Sequence, residues 1–411
     1  MNPLDTSTLN LTLLYHYFHP DDVVSARLFS DIAEGLTARG WDVTAMPCHR
    51  GCRDESITYP LSETWPGGLI DRVWRPNLKQ SSGKGRILNA AWMLAGWSWR
   101  AFTMPRHKNE VMVVGTDPIL SVLVALPWKF FRPEAKIVHW CHDLYPEAAV
   151  AEGMVKERSF PVRALKSLLA QAYRKCGLIA DLGSCMAKLL KQYGSHAKTA
   201  TLTPWALVEP PEVTLPDPAV RANLFGPYAG LGLLYSGTFG RAHTYEEFLT
   251  LARLLRNSHV KFCFAGRGNR TDELRKAITP DDTNVSFAGF APEAELEQRL
   301  TACDLHLVSL RPEWTGTVVP SKFFGALAAG RGVLFAGSPE SAIAQWVREY
   351  DVGWVLTPDN LPQVAEELRA LSLNPSALAA LRERCFATYR THFSKQHQLD
   401  LWDAELRGLL I

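Results

Sequence analysis

Apolar positions along the chain fall into two alternating patterns. Short runs rich in apolar and β-branched residues, such as "LNLTLLYHYF", "WDVTAMP", "EVMVVGT" and "KIVHWCHD", carry the signature of strands. Between them lie segments with helical spacing. "SARLFSDIAEGLTARG" repeats its apolar residues every three or four positions and stops on Gly40, and "LIADLGS" leads from a strand into the helix "CMAKLLKQYG". Alternation of this kind predicts a parallel sheet covered on both faces by helices.

The pattern breaks between Thr203 and Gly230, where six prolines and few periodic apolar residues predict an interdomain linker with a short helix. Alternation then resumes. "LGLLYSG", "VKFCFAG", "VSFAGF", "LHLVSL" and "GVLFAG" read as strands, and "TYEEFLTLARLLRN", "TDELRKAI", "AELEQRLTACD" and "SKFFGALAAG" as helices. The expected organisation is a first domain over residues 1–205, a linker over 206–228 and a second domain over 229–385. Residues 386–411 read as helix with no strand to follow. Two doubly wound α/β domains joined by a proline-rich hinge would face each other across a cleft, with ligands at the strand C-terminal ends.

Length agrees with two domains, since 411 residues exceed what one core supports. A net charge of +2 excludes a dedicated nucleic-acid binder. Eight scattered cysteines suit a reducing compartment better than a disulfide framework. "CHRGC" (Cys48, His49, Cys52) has no second Cys/His pair at zinc spacing and reads as a loop. The start "MNPLDTSTLNLTLLYHYF" lacks a basic leader segment, and Asp117-Pro118 interrupts the longest apolar tract, so neither a secretory signal nor a spanning helix is expected. The expected location is cytoplasmic.

Candidate chemistry gathers at strand ends. "YSGTFGRAHTYEEF" supplies Gly237, Gly240 and Arg241, and "FAGRGNR" supplies Gly266, Arg267 and Gly268. "VVPSKFFGALAAGRGVLFAGSPES" supplies Ser321 and Lys322 at a helix start. In one parallel sheet these small-residue turns share an edge, so Arg241 and Lys322 would converge on an anion such as a diphosphate. Ser321 can equally be a plain helix cap with no ligand. The first domain offers His16, His19, Asp21, Asp22 and Ser25 after its first strand, and Thr116 and Asp117 after another. His139, His142, Asp143 and Glu147 follow in "VHWCHDLYPE". A histidine beside a carboxylate can handle a hydroxyl proton. Alternatively, Asp143 caps the next helix and His142 fills a polar pocket. No D-x-D occurs, so no carboxylate-held divalent metal is expected at the diphosphate.

Together "YFHPDDVVSARLFSDIAEGLTARGWDVT", "HDLYPEAAVAEGM", "YSGTFGRAHTYEEF", "FAGRGNR" and "VVPSKFFGALAAGRGVLFAGSPES" resemble the retaining, GT-B-fold glycosyltransferases of family 4. The resemblance is greatest to the P-S-K branch that builds bacterial capsular, O-antigen and colanic-acid-type polysaccharides. It implies a UDP- or GDP-linked nucleotide sugar as substrate, no cofactor, and a lipid-linked or saccharide acceptor. It places the donor in the second domain, with Arg241 and Lys322 on the diphosphate and Gly266 to Gly268 and Phe290 near the nucleoside; outside the family pattern, Glu340 on the next loop is a candidate for a sugar-hydroxyl contact. The acceptor would lie on the first domain with His142 near the transferred sugar, and residues 386–411 would cross back to that domain. The family's two glutamates eight positions apart fall here on Thr317 and Gly325, and its Gly-Gly near the first strand is Asp22-Val23. A sugar-nucleotide epimerase of the same plan and a non-catalytic nucleotide-sugar-binding partner are the alternatives. Finally, "KGRILNAAWMLAGWSWRAF" joins basic residues to Trp92, Trp97, Trp99 and Phe102, the make-up of either an interfacial helix at the inner membrane or an ordinary core helix.

Overall fold

The computed structural model of the chain describes residues 8–80, 82–227, 230–290 and 292–411. The start of the chain, the join at Tyr228-Ala229 between the expected linker and second domain, and Ala291 of the "FAGFAPEAE" turn lie outside them. The chain divides into two compact units: unit 1 is Met1–Thr203 with Gln398–Ile411, and unit 2 is Pro204–His397.

Among the described residues, unit 1 holds an eight-stranded sheet. Its strands are β1 (Leu9–Leu14), β2 (Trp41–Ala45), β3 (Ser62–Trp65), β4 (Gly68–Asp71), β5 (Glu110–Val114), β6 (Lys136–Trp140), β7 (Leu178–Asp181) and β8 (Lys198–Thr201), in the order β3-β4-β2-β1-β5-β6-β7-β8. All pairings are parallel except β3 with β4. β5 is buried along its whole length, which is why it reads as an unbroken apolar run; its one charge, Glu110, accepts from buried Arg132 at 2.6 Å. The helix Val24–Thr37 turns Leu28, Phe29, Ile32 and Leu36 inward and packs against β2 and β4. The helix Lys395–Gly408 completes this unit from the far end of the chain. Trp402 packs edge-on against Trp140 at 5.2 Å, Asp403 accepts from the Trp41 indole at 2.7 Å, and Leu399 fills the space above Gly35.

Unit 2 carries an all-parallel sheet of β9 (Leu231–Thr238), β10 (Val260–Arg267), β11 (Val285–Ala288), β12 (Leu305–Leu310), β13 (Gly332–Gly337) and β14 (Gly353–Leu356). The order is β11-β10-β9-β12-β13-β14. β14 and the helices Ala342–Glu349 and Leu361–Ser372 extend the sheet beyond "GVLFAG", where the sequence pattern ends the unit. The proline-rich run is held along unit 2. Glu209 accepts from the Tyr389 hydroxyl at 2.5 Å and from Lys395 N–H at 2.7 Å, and the Arg331 guanidinium reaches the Thr214 carbonyl at 2.7 Å. Arg331 is fully buried and spends its other donors on the carbonyls of Cys303, Ala329, Gly330 and Thr301, so its burial leaves no N–H donor unsatisfied.

In both sheets the strand order reverses direction once, between β1 and β5 in unit 1 and between β9 and β12 in unit 2. Such reversal points leave a crevice at the strand C-terminal ends, where ligands of doubly wound sheets bind. Each unit is a Rossmann-like half, as the alternation of strands and helices predicts.

Candidate functional site

At the reversal point of unit 2, the turns after β9 and β10 are knit together by backbone. Gly237 has φ +115°, and a Cβ there would lie 3.2 Å from Lys322 Cε. At Gly266 a Cβ would lie 2.1 Å from the Gly237 carbonyl oxygen, and at Gly268, with φ +136°, 2.3 Å from that of Phe239. Only glycine satisfies these contacts. Phe239 N–H donates to Arg267 O at 2.8 Å and Arg270 N–H to Phe239 O at 3.2 Å, closing the two turns on each other.

Lys322 points into this cluster. Its ammonium donates to the Thr238 carbonyl at 3.1 Å and stands 5.1 Å from the Tyr235 ring centroid. Among the described residues neither partner is an anion. Burial holds its pKa down to about 8. Beside it, His243 shares a hydrogen bond with the Ser309 carbonyl at 2.7 Å, so Nδ1 carries the proton. Burial first, and then the Lys322 charge, hold this histidine down at about 3, so it is neutral. His243 occupies the turn "AHTY", and nothing in its local sequence marks it; only the pairing of β9 with β12 brings Ser309 under it.

The other expected donor residues arrange themselves around this centre. The Arg267 guanidinium lies 4.6 Å from the ring centroid of Phe290, and both are exposed. Arg241 and Gly240 are on the turn after β9, with nothing within 4 Å of where a Gly240 Cβ would stand. Glu340 is exposed on the turn after β13. Ser321 departs from the capping expectation. Its backbone is already helical (φ −63°, ψ −17°), its side chain caps nothing, and the helix Lys322–Ala328 has only 7 residues. The hydroxyl is exposed. Of the three glycines beyond it, Gly332 is demanded by Leu305 and Leu381 and Gly330 by φ +64°, whereas Gly325 meets only an ordinary contact at 3.6 Å. Thr317, at the first expected glutamate position, is buried and donates to the Trp314 carbonyl at 2.8 Å.

At the reversal point of unit 1, His16 and Asp117 meet at 3.3 Å, and a backbone bond from His16 N–H to Asp117 O at 2.9 Å fixes the pair. Burial alone would lower the His16 pKa, but Asp117 and Cys48 outweigh it and raise it to about 9. Cys48 responds in kind: burial pushes its thiol up, and His16 with Arg75 pulls it below its ordinary value. Thr116 and Asp143 line one pocket between the ends of β5 and β6. Asp143 is held up at about 6, by burial first and then by Asp117. His142 packs edge-on to Trp140 at 4.0 Å and its Nε2 is buried with no hydrogen-bond partner among the described residues. Burial takes its pKa down to about 3. Asp143 caps no helix: the next helix, Glu147–Ala151, starts from Pro146 without a side-chain cap.

The remaining acceptor candidates serve the loops. Asp21 accepts from Cys52 N–H at 2.9 Å and the Tyr59 hydroxyl at 3.2 Å, Asp22 pairs with Arg53 at 2.6 Å on the surface, and His19 stacks on Trp65 at 5.2 Å. Ser25 hydrogen-bonds the Tyr15 phenol. Glu147 is buried under Tyr193, Gln192 and Lys166. His139 bonds the Val114 carbonyl at 3.0 Å. None of the eight cysteines takes part in a disulfide among the described residues. Among the described residues no group of three or more His, Cys, Asp or Glu side chains could hold a metal ion. No helix among them is long and apolar enough to cross a membrane.

Residues 231–374 match the family described as "Glycosyl transferases group 1". The chain is 27% identical over 316 residues to "Probable glycosyltransferase WbjE" of Pseudomonas aeruginosa, covering 75% of this chain and 77% of that one. Among solved structures, it is similar to Anabaena Alr3699/HepE in complex with UDP and glucose, with a TM-score of 0.64 at 14% identity, over 97% of this chain and 100% of that one. WaaG, a glycosyltransferase involved in lipopolysaccharide biosynthesis, gives 0.60 at 15% identity, over 95% and 99%. The structural likenesses establish the GT-B fold, and the sequence matches support a glycosyltransferase.

Proposed function

We propose that the chain transfers a sugar from a UDP- or GDP-linked donor to an acceptor hydroxyl on a lipid-linked or growing surface polysaccharide. In this reading it belongs to the P-S-K branch of the retaining family 4 enzymes and works without a metal. The observation that carries it is Lys322, a half-buried ammonium with a carbonyl and a ring for partners and no counter-anion among the described residues, at the reversal point of unit 2. An ammonium so placed is stabilised by an anion, and a diphosphate suits the site, with Arg241 from the turn after β9 as a second cation in this reading. That Alr3699/HepE is known with UDP and with UDP-glucose on the same fold supports this choice.

Bond breaking at the anomeric carbon leaves negative charge on the departing diphosphate, and Lys322 and Arg241 stabilise it. The acceptor oxygen forms the new glycosidic bond, and Asp143 takes its proton. With a pKa of about 6, that carboxylate is ionised at neutral pH and still basic enough to accept. In this reading neutral His142, whose buried Nε2 has no hydrogen-bond partner among the described residues, accepts from a sugar hydroxyl.

Calorimetric titration of UDP, GDP, ADP and CMP in the presence of a chelator tests the reading. One diphosphate is expected to bind, and Lys322→Ala and Arg241→Ala each weaken it by at least about tenfold, or about 1.4 kcal/mol. Binding that ignores both substitutions sinks the diphosphate site.

A second reading concerns the surface on which the enzyme works. The 21-residue helix Gly83–Thr103 buries Trp97, Met93 and Ala101 on one face. On the other, Leu88, Trp92, Trp99 and Phe102 are exposed at four-, seven- and three-residue steps, so the helix carries a core face and an exposed aromatic face. Trp99 meets Phe102 at 5.8 Å, and Phe102 meets Phe131, whose neighbour Phe130 is 79% exposed. The helix has no acidic residue, and exposed Lys84, Arg86, Arg106 and Lys108 flank the rings. This composition fits the anionic cytoplasmic face of the inner membrane. Trp99, Phe102 and Phe130 changed together to Ser are expected to abolish co-sedimentation with anionic vesicles while nucleotide binding persists. Retained sedimentation refutes it.

A further inference from the structure

Large apolar side chains left exposed are unevenly placed on this molecule. Among the described residues of unit 2 they are Leu215, Leu254, Phe290 and Leu373, spaced far apart along the chain. In unit 1 they gather on one face of the sheet. The steps from β1 to β2 and from β5 to β6 leave the reversal point in opposite directions, so right-handed crossovers put their helices on opposite faces. In one layer, Gly83–Thr103 packs against Ala125–Phe131, which packs in turn against Phe160–Tyr173. In the other lie Val24–Thr37 and Lys395–Gly408, where Leu399 meets Gly35.

The two layers differ in charge as well as in polarity. The three helices of the first contain no Asp or Glu, and they carry Lys84, Arg86, Arg100, Lys129, Arg163 and Lys166. The second layer mixes signs, with Asp31, Glu34, Asp400, Asp403 and Glu405 among its residues. Val24 is the only exposed large apolar side chain among the described residues of those two helices. In the first layer, the turn into Phe160–Tyr173 repeats the make-up of the Gly83–Thr103 helix. Phe160 is 83% exposed and Met154 71%, with Val155 beside them and Leu168 two turns on. Lys156, Arg158 and Arg163 are exposed among these side chains, and Glu157 is drawn to Lys166 at 3.5 Å.

The chain path places these groups at two edges. Phe160–Tyr173 connects the end of β6 to the start of β7, so Phe160 stands at the strand C-terminal edge. The end of Gly83–Thr103 leads to the start of β5, and Phe130 shortly precedes β6, so Trp99, Phe102 and Phe130 stand at the N-terminal edge. A 14-residue helix spans about 20 Å, so the apolar tips occupy both ends of one face.

We infer that this whole layer, and not the Gly83–Thr103 helix alone, lies on an anionic bilayer, with Met154, Val155 and Phe160 as a second anchor. These side chains enter the acyl boundary while Lys156, Arg158 and Arg163 meet headgroup phosphates. A single small anchor holds a protein only marginally, whereas two on one rigid body bind as a pair. Anchors at opposite edges also lay the layer flat, which brings the strand C-terminal edge of unit 1 beside the lipid. The inference deepens the second reading above and rests on it only in taking the partner to be a membrane.

The test uses the full chain with vesicles of phosphatidylglycerol and phosphatidylethanolamine, and phosphatidylcholine vesicles as the neutral comparison. Hydrogen exchange over residues 152–166 is expected to slow on the anionic vesicles. Met154→Ser with Phe160→Ser, and separately Lys156→Glu with Arg158→Glu and Arg163→Glu, are each expected to weaken vesicle binding at least about tenfold. Nucleotide binding, read in the same samples, is expected to persist. Exchange that stays unchanged in the vesicle-bound protein overturns the inference, as does an affinity that neither variant lowers. Equal binding to phosphatidylcholine overturns it too. The outcomes also separate the two anchors. If the Trp99, Phe102 and Phe130 changes abolish binding while residues 152–166 stay unprotected, the helix reading stands and this one falls. If those changes do nothing while the segment is protected and its variants lose affinity, the second anchor stands and the helix reading falls. A chain that binds no vesicle ends both and leaves the layer to a protein partner.

Discussion

Lys322 is the residue on which most depends, and its chemistry gives it a pH signature. In the unliganded protein its pKa is about 8 because burial disfavours the ammonium. A bound diphosphate favours the charged form, so binding raises that pKa and takes up protons. Affinity for the nucleoside diphosphate is therefore expected to be flat below about pH 7. It should fall as pH rises through 8, by up to about tenfold per unit. Lys322→Ala flattens that fall, as titrations at three pH values will show; an unchanged slope assigns the titration to another group. The lysine was legible in the sequence because "VVPSKFFGALAAG" sets it at a helix start after a strand. The glycines were only half legible. Gly240 and Gly266 look alike in "YSGTFG" and "FAGRG", yet one faces open space and the other lies 2.1 Å from a carbonyl when given a Cβ. Strand pairing, which local sequence does not contain, makes the difference. His243 and the acceptor tie between His16 and Asp117 were invisible for the same reason: their partners are 66 and 101 residues away.

At the level of elements, long strands and helices with clean periods announced themselves, as did the short apolar strands β7 and β11, whereas β3 and β8 did not. β3 shows only half-exposed alternation and β8 is largely exposed, so neither leaves an apolar run to read. The helix Gly83–Thr103 shows the opposite difficulty: its aromatics look like one stripe, and only the fold tells Trp97 from Trp99. What pins elements together in unit 2 is a single buried carboxylate. Asp304 accepts from Arg221 at 2.7 Å, Arg382 at 2.6 Å and Gly232 N–H at 2.7 Å, joining the helices Pro218–Phe225 and Pro375–Thr388 to the starts of β9 and β12. Asp304→Ala leaves two guanidinium groups uncompensated and is expected to cost about 3–5 kcal/mol. Urea unfolding followed by a unit 2 probe measures it; a loss under 1 kcal/mol means that solvent already screens the cluster.

For the whole molecule, the consequential fact is that unit 1 is assembled from both ends of the chain. Trp402, Leu399 and Asp403 fill gaps beside Trp140, Gly35 and Trp41, and Glu405 pairs with Lys198 at 2.6 Å. Deleting residues 398–411 is expected to unfold unit 1 selectively. Limited proteolysis should degrade residues 1–203 while unit 2 survives and still binds nucleotide. A unit 1 that resists proteolysis in the truncated chain shows that the segment is dispensable.

That arrangement also sets a timetable. On the ribosome, Thr203 is joined on the order of two hundred residues before Gln398, which at typical synthesis speeds is roughly 10–40 s. Through that interval the half of the chain made earlier has an open seam where Trp402 belongs, with Trp140 and Gly35 facing it. Unit 2, a continuous stretch, can close as soon as it emerges. The half translated second is thus free to fold first, and the earlier half must be kept from sticking to its neighbours until its missing helix arrives.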